Sequence, residues 1–158
     1  MQVVALAGGV GAGKFLRGLV RVIPAEALTV VVNTGDDLEL FGLHISPDID
    51  SVIYWLADIA DRDRGWGRSG ESFRTLDELT ALGSEAWFAL GDLDLATHLF
   101  RNNVLSTGGT LSEATEAIAV ARGLSCRILP MSDERVTTRI EVADADGRSR
   151  DLHFQEYW

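Results

Sequence analysis

Two rhythms of apolar residues run along this chain. Val3 to Ala7 is an unbroken apolar run, the pattern of a short strand buried on both faces. Over residues 14–23 the apolar positions Phe15, Leu16, Leu19, Val20 and Ile23 fall on one side of a helix, and Pro24 stops it. Between them lies a glycine-rich stretch, Gly8 to Gly13, which predicts a turn. Residues 28–32 predict a second buried strand with an exit loop over 33–37. Strand, turn, helix, strand is a βαβ unit, and such crossovers pair their strands in parallel. Both loops then leave the carboxyl edge of the sheet, where open α/β folds bind ligands.

Further along, Ile49, Val52, Ile53, Leu56 and Ile59 predict a helix over 48–58. A polar, glycine-containing loop covers 62–71, and helices are expected at 72–82 and 92–105, the latter capped by Asp92. Thr110 and Glu113 have the spacing of a capping box that opens a helix through Arg122, ended by Gly123. Residues 125–131 and 136–142 predict strands. A turn at 143–147 leads to a segment at 151–157 that pairs back as a hairpin. There is no internal repeat and no low-complexity tract.

Composition narrows the function classes. The chain has 158 residues, 46% of them hydrophobic, which suits one domain or a piece of a larger one. A net charge of −10 argues against nucleic-acid binding through a basic surface and against docking on anionic membranes. It fits a solvated acidic surface, carboxylates gathered around a metal, or both. The single cysteine, Cys126, sits in an apolar run and reads as a buried structural residue. The first residues lack the basic start of a signal peptide, and no apolar run approaches the ~20 residues of a spanning helix. A cytoplasmic enzyme is the expectation.

Three clusters can carry chemistry. Amides of a glycine loop after a buried strand attract anions, which makes Gly8, Gly9, Val10, Gly11 and Lys14 candidate phosphate contacts. The spacing from Gly8 to Gly13-Lys14 approaches a P-loop, but Phe15 stands where a hydroxyl would hold Mg²⁺. The other reading is a tight turn only. Asp36, Asp37, Asp48 and Asp50 are hard oxygen donors suited to Mg²⁺ beside a phosphate substrate. Against that, Asp48 can cap a helix and Asp37 can serve a turn. Asp94 and His98, four apart, share a helix face and can bind a substrate or move a proton, unless they form a plain surface pair. Trp66, between Gly65 and Gly67, can cover a flat ring, whereas Trp87 beside Phe88 reads as core. His44 and His153 have no interpretable context.

Seven short motifs occur in an order that resembles the 2-phospho-L-lactate transferases. They are residues 7–11, 31–37, 46–50, 65–67, 91–98, 129–133 and 154–157, spanning nearly the whole chain. The resemblance implies a Rossmann-like three-layer α/β fold with a mainly parallel sheet and a helical insertion, incomplete here. Residues 1–158 would be the N-terminal part of a single transferase domain. It implies transfer of a phospho-lactyl or phospho-enolpyruvyl group from a guanosine-diphospho-activated donor to the 5′-hydroxyl of the deazaflavin FO, releasing GMP, in coenzyme F-420 biosynthesis. It also implies Mg²⁺ on Asp36, Asp37, Asp48 and Asp50, a hydroxyl oriented by Asp37 or Asp50, and a homodimer in the full-length form. Substrate contacts would come from the glycine loop with Lys14, and from Asn33, Asp48, Asp50, Trp66, Asp92, Asp94 and His98. Two departures stand out: family members read Gly-Gly-Ala-Lys or Gly-Gly-Ala-Arg where this chain has residues 11–14, and Gly-Asp-Arg-Asp where it has residues 91–94. Competing readings are a P-loop phosphotransferase, a nucleotide-sugar-binding regulator of the gluconeogenesis-factor type, and a truncated, inactive homologue.

Overall fold

A computed structural model describes residues 1–143 and 147–157. Most of the turn expected at 143–147 therefore lies outside the described residues. Strand β1 (Val3–Ala7) leads into helix α1 (Val10–Leu19), and a single 3₁₀ turn (Ala25–Ala27) precedes β2 (Leu28–Val32). A hairpin of β3 (Leu38–Leu40) and β4 (Leu43–Ile45) comes next, then α2 (Pro47–Leu56), α3 (Arg74–Ala81), α4 (Asp92–Ser106) and α5 (Leu111–Ala121). The chain continues through β5 (Arg127–Pro130), the antiparallel pair β6 (Arg139–Ala143) and β7 (Ser149–His153), and the short α6 (Phe154–Tyr157).

Strands β1, β2 and β5 form a parallel sheet in that order. Ala7 lies beside Val32, and Val32 beside Pro130, so all three strands end level at one edge. The predicted α/β class and the shared carboxyl edge both hold.

Helix α1 starts four residues earlier than the periodicity predicts, at Val10, so the turn shrinks to Gly8-Gly9. Gly13 lies inside the helix, against α2: a Cβ there would sit 2.9 Å from Trp55. That glycine serves close helix packing rather than a phosphate loop, which removes the basis of the P-loop reading. Pro47 occupies the first turn of α2, where its missing N–H costs nothing. The capping box forms as predicted: Thr110 Oγ1 accepts from the Glu113 amide at 3.1 Å, and Glu113 Oε2 accepts from the Thr110 amide at 2.7 Å.

Hairpin β3–β4 escaped sequence reasoning. Its two-residue turn places Phe41 (φ 54°) and Gly42 (φ 73°) in the left-handed region, the geometry that closes tight hairpins. Leu38, Leu40 and Ile45 bury against Leu90 as a small separate core. The final segment is strand only as far as His153 and then turns helical.

In the main core, Ala7, Leu28, Val30, Val32 and Ile128 from one sheet face pack on Leu16, Ile49, Val52, Ile53 and Ile118 from α1, α2 and α5. The other face is open. Val4 is 66% and Leu6 85% exposed, with Val31 and Leu129 half-buried beside them. The described residues thus supply a sheet and one helical layer. The apolar run of β1 predicted burial on both faces, but only one face finds a cover here.

Candidate functional site

The loops leaving β1 and β2 meet at the sheet edge. A side chain at Gly9 would meet the Asp48 carboxylate and displace it, so glycine there lets that carboxylate lie against the loop. Asn33, the first residue after β2, donates from Nδ2 to Asp36 Oδ1 at 2.7 Å and to Asp48 Oδ2 at 3.0 Å. Its Oδ1 accepts from the Gly35 amide at 3.0 Å, which fixes the side chain. Gln155, arriving from α6, donates to Asp36 Oδ2 at 2.8 Å. One amide therefore gathers two carboxylates. Burial pushes the Asp48 carboxyl up to about 6; the Asn33 bond opposes this and the Asp36 charge adds to it. A divalent cation would relieve that crowding, and Mg²⁺ is commonly held by one or two carboxylates together with water and phosphate. Among the described residues, no group of three or more His, Cys, Asp or Glu side chains is arranged to hold a metal.

Helix α4 is inverted. It buries Asp94, Thr97, His98 and Arg101 and exposes Leu93, Leu99 and Phe100. A helix that turns charge inward without an apolar reason marks a functional site. Arg101 is completely buried; it donates to Asp50 Oδ1 from one nitrogen and to His98 Nδ1 at 3.0 Å from another. Burial opposes its charge, and the Asp50 carboxylate more than offsets this, so the Arg101 pKa is raised. Burial pushes His98 down to about 4, with Asp50 opposing and Arg101 reinforcing, so its ring is neutral at pH 7. Asp94 is pushed up to about 7 by burial; its neighbour Tyr54 works against this, and the Asp50 and Glu71 charges favour it. Asp50 Oδ2, Asp94 Oδ1, the Tyr54 hydroxyl and the Thr97 hydroxyl are all buried without a hydrogen-bond partner. Buried polar atoms are rarely left so; Tyr54 lies close enough to Asp94 and Thr97 to interact with both, which leaves Asp50 Oδ2 as the atom most in need of a partner.

Asp50, Tyr54 and Asp94 line a cleft of about 540 Å³. Ile45, Pro47, Tyr54, Trp66, Phe88 and Leu90 give it aromatic and aliphatic surface; Asp36, Asp48, Asp50, Asp94, His98 and Gln155 give it polar groups. Trp66 is held by Arg64, whose guanidinium stacks 4.5 Å from its ring and 5.2 Å from that of Phe73. Gly65 and Gly67 flank Trp66 with φ of 87° and 69°, backbone that a larger residue would strain.

Of the residues singled out from sequence, Val10, Asp36, Asp48, Asp50, Trp66, Asp94 and His98 line this cleft. Gly8, Gly9 and Asn33 stand behind it, against Asp48. Gly11 lies within α1, with open space about it. Lys14 points elsewhere, its ammonium 5.1 Å from the Trp55 ring. Asp92 is half-buried and caps α3 rather than its own helix: it accepts from Ser72 Oγ and from the amides of Arg74 and Thr75 at 3.2 and 3.0 Å. Those bonds hold its carboxyl down to about 2. Asp37 Oδ2 accepts from Ser46 Oγ at 2.8 Å and lies 2.9 Å from His44 Nε2, while burial raises its pKa. His153 Nε2 donates to the Asp37 carbonyl at 3.0 Å. Trp87 is 43% exposed, not core, and meets Phe88 edge-on. The sequence reading missed Tyr54, Arg101, His44, His153 and Gln155. Arg101 was within reach of the spacing argument, since it follows His98 by three and Asp94 by seven on the same helix face.

A parallel sheet with an acidic, aromatic-lined cleft at its carboxyl edge defines an α/β protein of Rossmann-like type. The sequence profile of the family described as 2-phospho-L-lactate transferase CofD matches residues 3–158, and the chain belongs to that family. It is 48% identical over 159 aligned residues to a phosphoenolpyruvate transferase of Streptomyces griseus, covering 100% of this chain and 50% of that protein. It is 44% identical over 153 residues to a 2-phospho-L-lactate transferase of Methanosarcina acetivorans, covering 97% of this chain and 48% of that one. The chain thus spans about half the length of these curated relatives. A crystal structure of a UPF0052-family protein from Bacillus halodurans shares the fold, with a TM-score of 0.52 and 17% identity over 96% of this chain and 45% of that chain. No helix among the described residues is long and apolar enough to cross a membrane.

Proposed function

We propose that this chain carries the acceptor and metal portion of a transferase that moves a phospho-enolpyruvyl or phospho-lactyl group. The donor is a guanosine-diphospho-activated acid, the acceptor is the 5′-hydroxyl of the deazaflavin FO, and GMP leaves. The observation that carries the reading is the cleft, in which a flat aromatic wall adjoins a pair of crowded carboxylates. A tricyclic ring suits the Trp66, Tyr54 and Phe88 surface.

Phosphoryl transfer needs positioning and charge neutralisation more than covalent help. Asp36 and Asp48 are the residues that would hold Mg²⁺; Asp37 and Asp50 are engaged with His44 and Arg101 instead. When bound, the cation supplies neutralisation of diphosphate charge. The amides at the start of α1 face the same edge and add to the attraction for an anion. Asp50, held through Oδ1 by Arg101, has Oδ2 free to accept from the attacking hydroxyl. The hydroxyl oxygen forms its bond to the donor phosphorus, the phosphorus–oxygen bond to GMP breaks, and the hydroxyl proton passes toward Asp50.

The test is a titration with FO followed by tryptophan fluorescence, with and without Mg²⁺ and the guanosine-activated donor. Saturable quenching that Trp66→Ala abolishes supports the acceptor site. A folded chain that shows no quenching overturns it.

A further inference from the structure

The buried guanidinium of Arg101 touches two cleft residues at once, and its chemistry fixes what each can do. Arginine has five N–H donors and no acceptor. Its contact with His98 Nδ1 at 3.0 Å therefore requires Nδ1 to be the accepting, unprotonated nitrogen. The ring proton must then sit on Nε2, and His98 lines the cleft. The same guanidinium ties up Asp50 Oδ1 and leaves Asp50 Oδ2 buried and unpartnered. His98 Nδ1 lies 3.6 Å from Oδ2, too far for a hydrogen bond, so the ring does not satisfy it.

We propose that Arg101 is a positioning residue that presents Asp50 and His98 to the cleft as an acceptor and a donor for one substrate hydroxyl. An alcohol is the complement of such a pair, because it donates once and accepts at its lone pairs. A ring nitrogen or a bare carbonyl satisfies only half of it. Arg101 has no apolar role that leucine would not fill better, and its own Nε is unpartnered. The proposal rests on the acceptor reading above, and it adds which part of the acceptor this corner reads: the polyol chain, not the ring.

Two measurements decide it, both on the chain as it exists. The first needs no ligand. Long-range proton–nitrogen NMR correlation of the ¹⁵N-histidine-labelled protein reports the tautomer of each ring. His98 is expected as the Nε2–H form in the wild type and as a tautomer mixture in Arg101→Lys, whose single ammonium cannot serve both partners in the same geometry. An Nδ1–H ring in the wild type overturns the proposal without any variant having to fold. The second compares affinity for FO with affinity for the same deazaflavin ring lacking its ribityl chain. Arg101→Lys is expected to weaken FO binding by about tenfold, the value of one hydrogen bond, and to leave the ring-only ligand unchanged. Equal losses for both ligands, or no loss for either from a folded variant, overturn the proposal by making Arg101 merely structural. His98→Phe, which keeps a ring and removes the donor, should show the same selectivity. If the wild type binds neither ligand, the acceptor reading fails, and the tautomer measurement still decides whether Arg101 fixes its partners.

Discussion

Asp94 is a carboxylic acid whose surroundings push it toward neutrality. Its pKa is raised from 3.8 to about 7, burial being the main cause. An acid raised in this way holds its proton in the folded state over pH values where the unfolded chain has lost it. Folding stability from this group is therefore greatest below about 4 and is lost as pH rises through about 7. Asp94→Asn should remove that slope. In urea melts near pH 4 and above pH 7, the variant's midpoint should gain on the wild type's at the higher pH, and an unchanged difference would contradict the buried assignment. His98 tilts the opposite way, but it is common to both proteins and cancels. Asp92, two residues earlier, behaves as a plain cap. Asp92→Ala should lower the thermal midpoint by a few degrees and leave FO affinity untouched, which a binding role would not allow. Spacing alone placed Asp94 with His98 and could not separate them from Asp92. What separates them is rotation about α4, which turns one carboxylate inward and the other toward α3.

At the level of elements, local signals were read well where the chain obeys its own propensities. The capping box of α5 and the strands β1 and β2 follow directly from residue types. Thr110→Ala should cost about 1 kcal/mol, measured by chemical denaturation, because it frees the Glu113 amide. Legibility failed where tertiary contact overrides pattern. Gly11 and Gly13 look like loop residues, yet both sit in a helix; at Gly13 the Trp55 side chain leaves no room for another, while Gly11 faces open space. Hairpin β3–β4 has strands of three residues and an unusual Phe-Gly turn, too short for alternation to register. Helix α4 was predicted as a helix but not as an inverted one, since its outward leucines and phenylalanine resemble a core face.

For the molecule as a whole, the βαβ pattern predicts the shared carboxyl edge, because parallel strands bring their exit loops together. What it could not supply was the composition of the cleft, whose walls come from segments as distant as Val10, Asp48, Trp66, Asp94 and Gln155. The open sheet face is equally a whole-molecule property. Contiguous exposed apolar surface favours association. Leu6→Lys should reduce any concentration-dependent self-association seen by sedimentation while leaving the far-ultraviolet circular dichroism unchanged. The inward polarity of α4 has a further consequence for anyone reshaping this protein. A redesign guided by packing alone would fill positions 94, 97, 98 and 101 with aliphatic residues and harvest thermal tolerance. It would thereby erase the polar cluster on which the proposed function depends, so heat resistance and that function would pull this one helix in opposite directions.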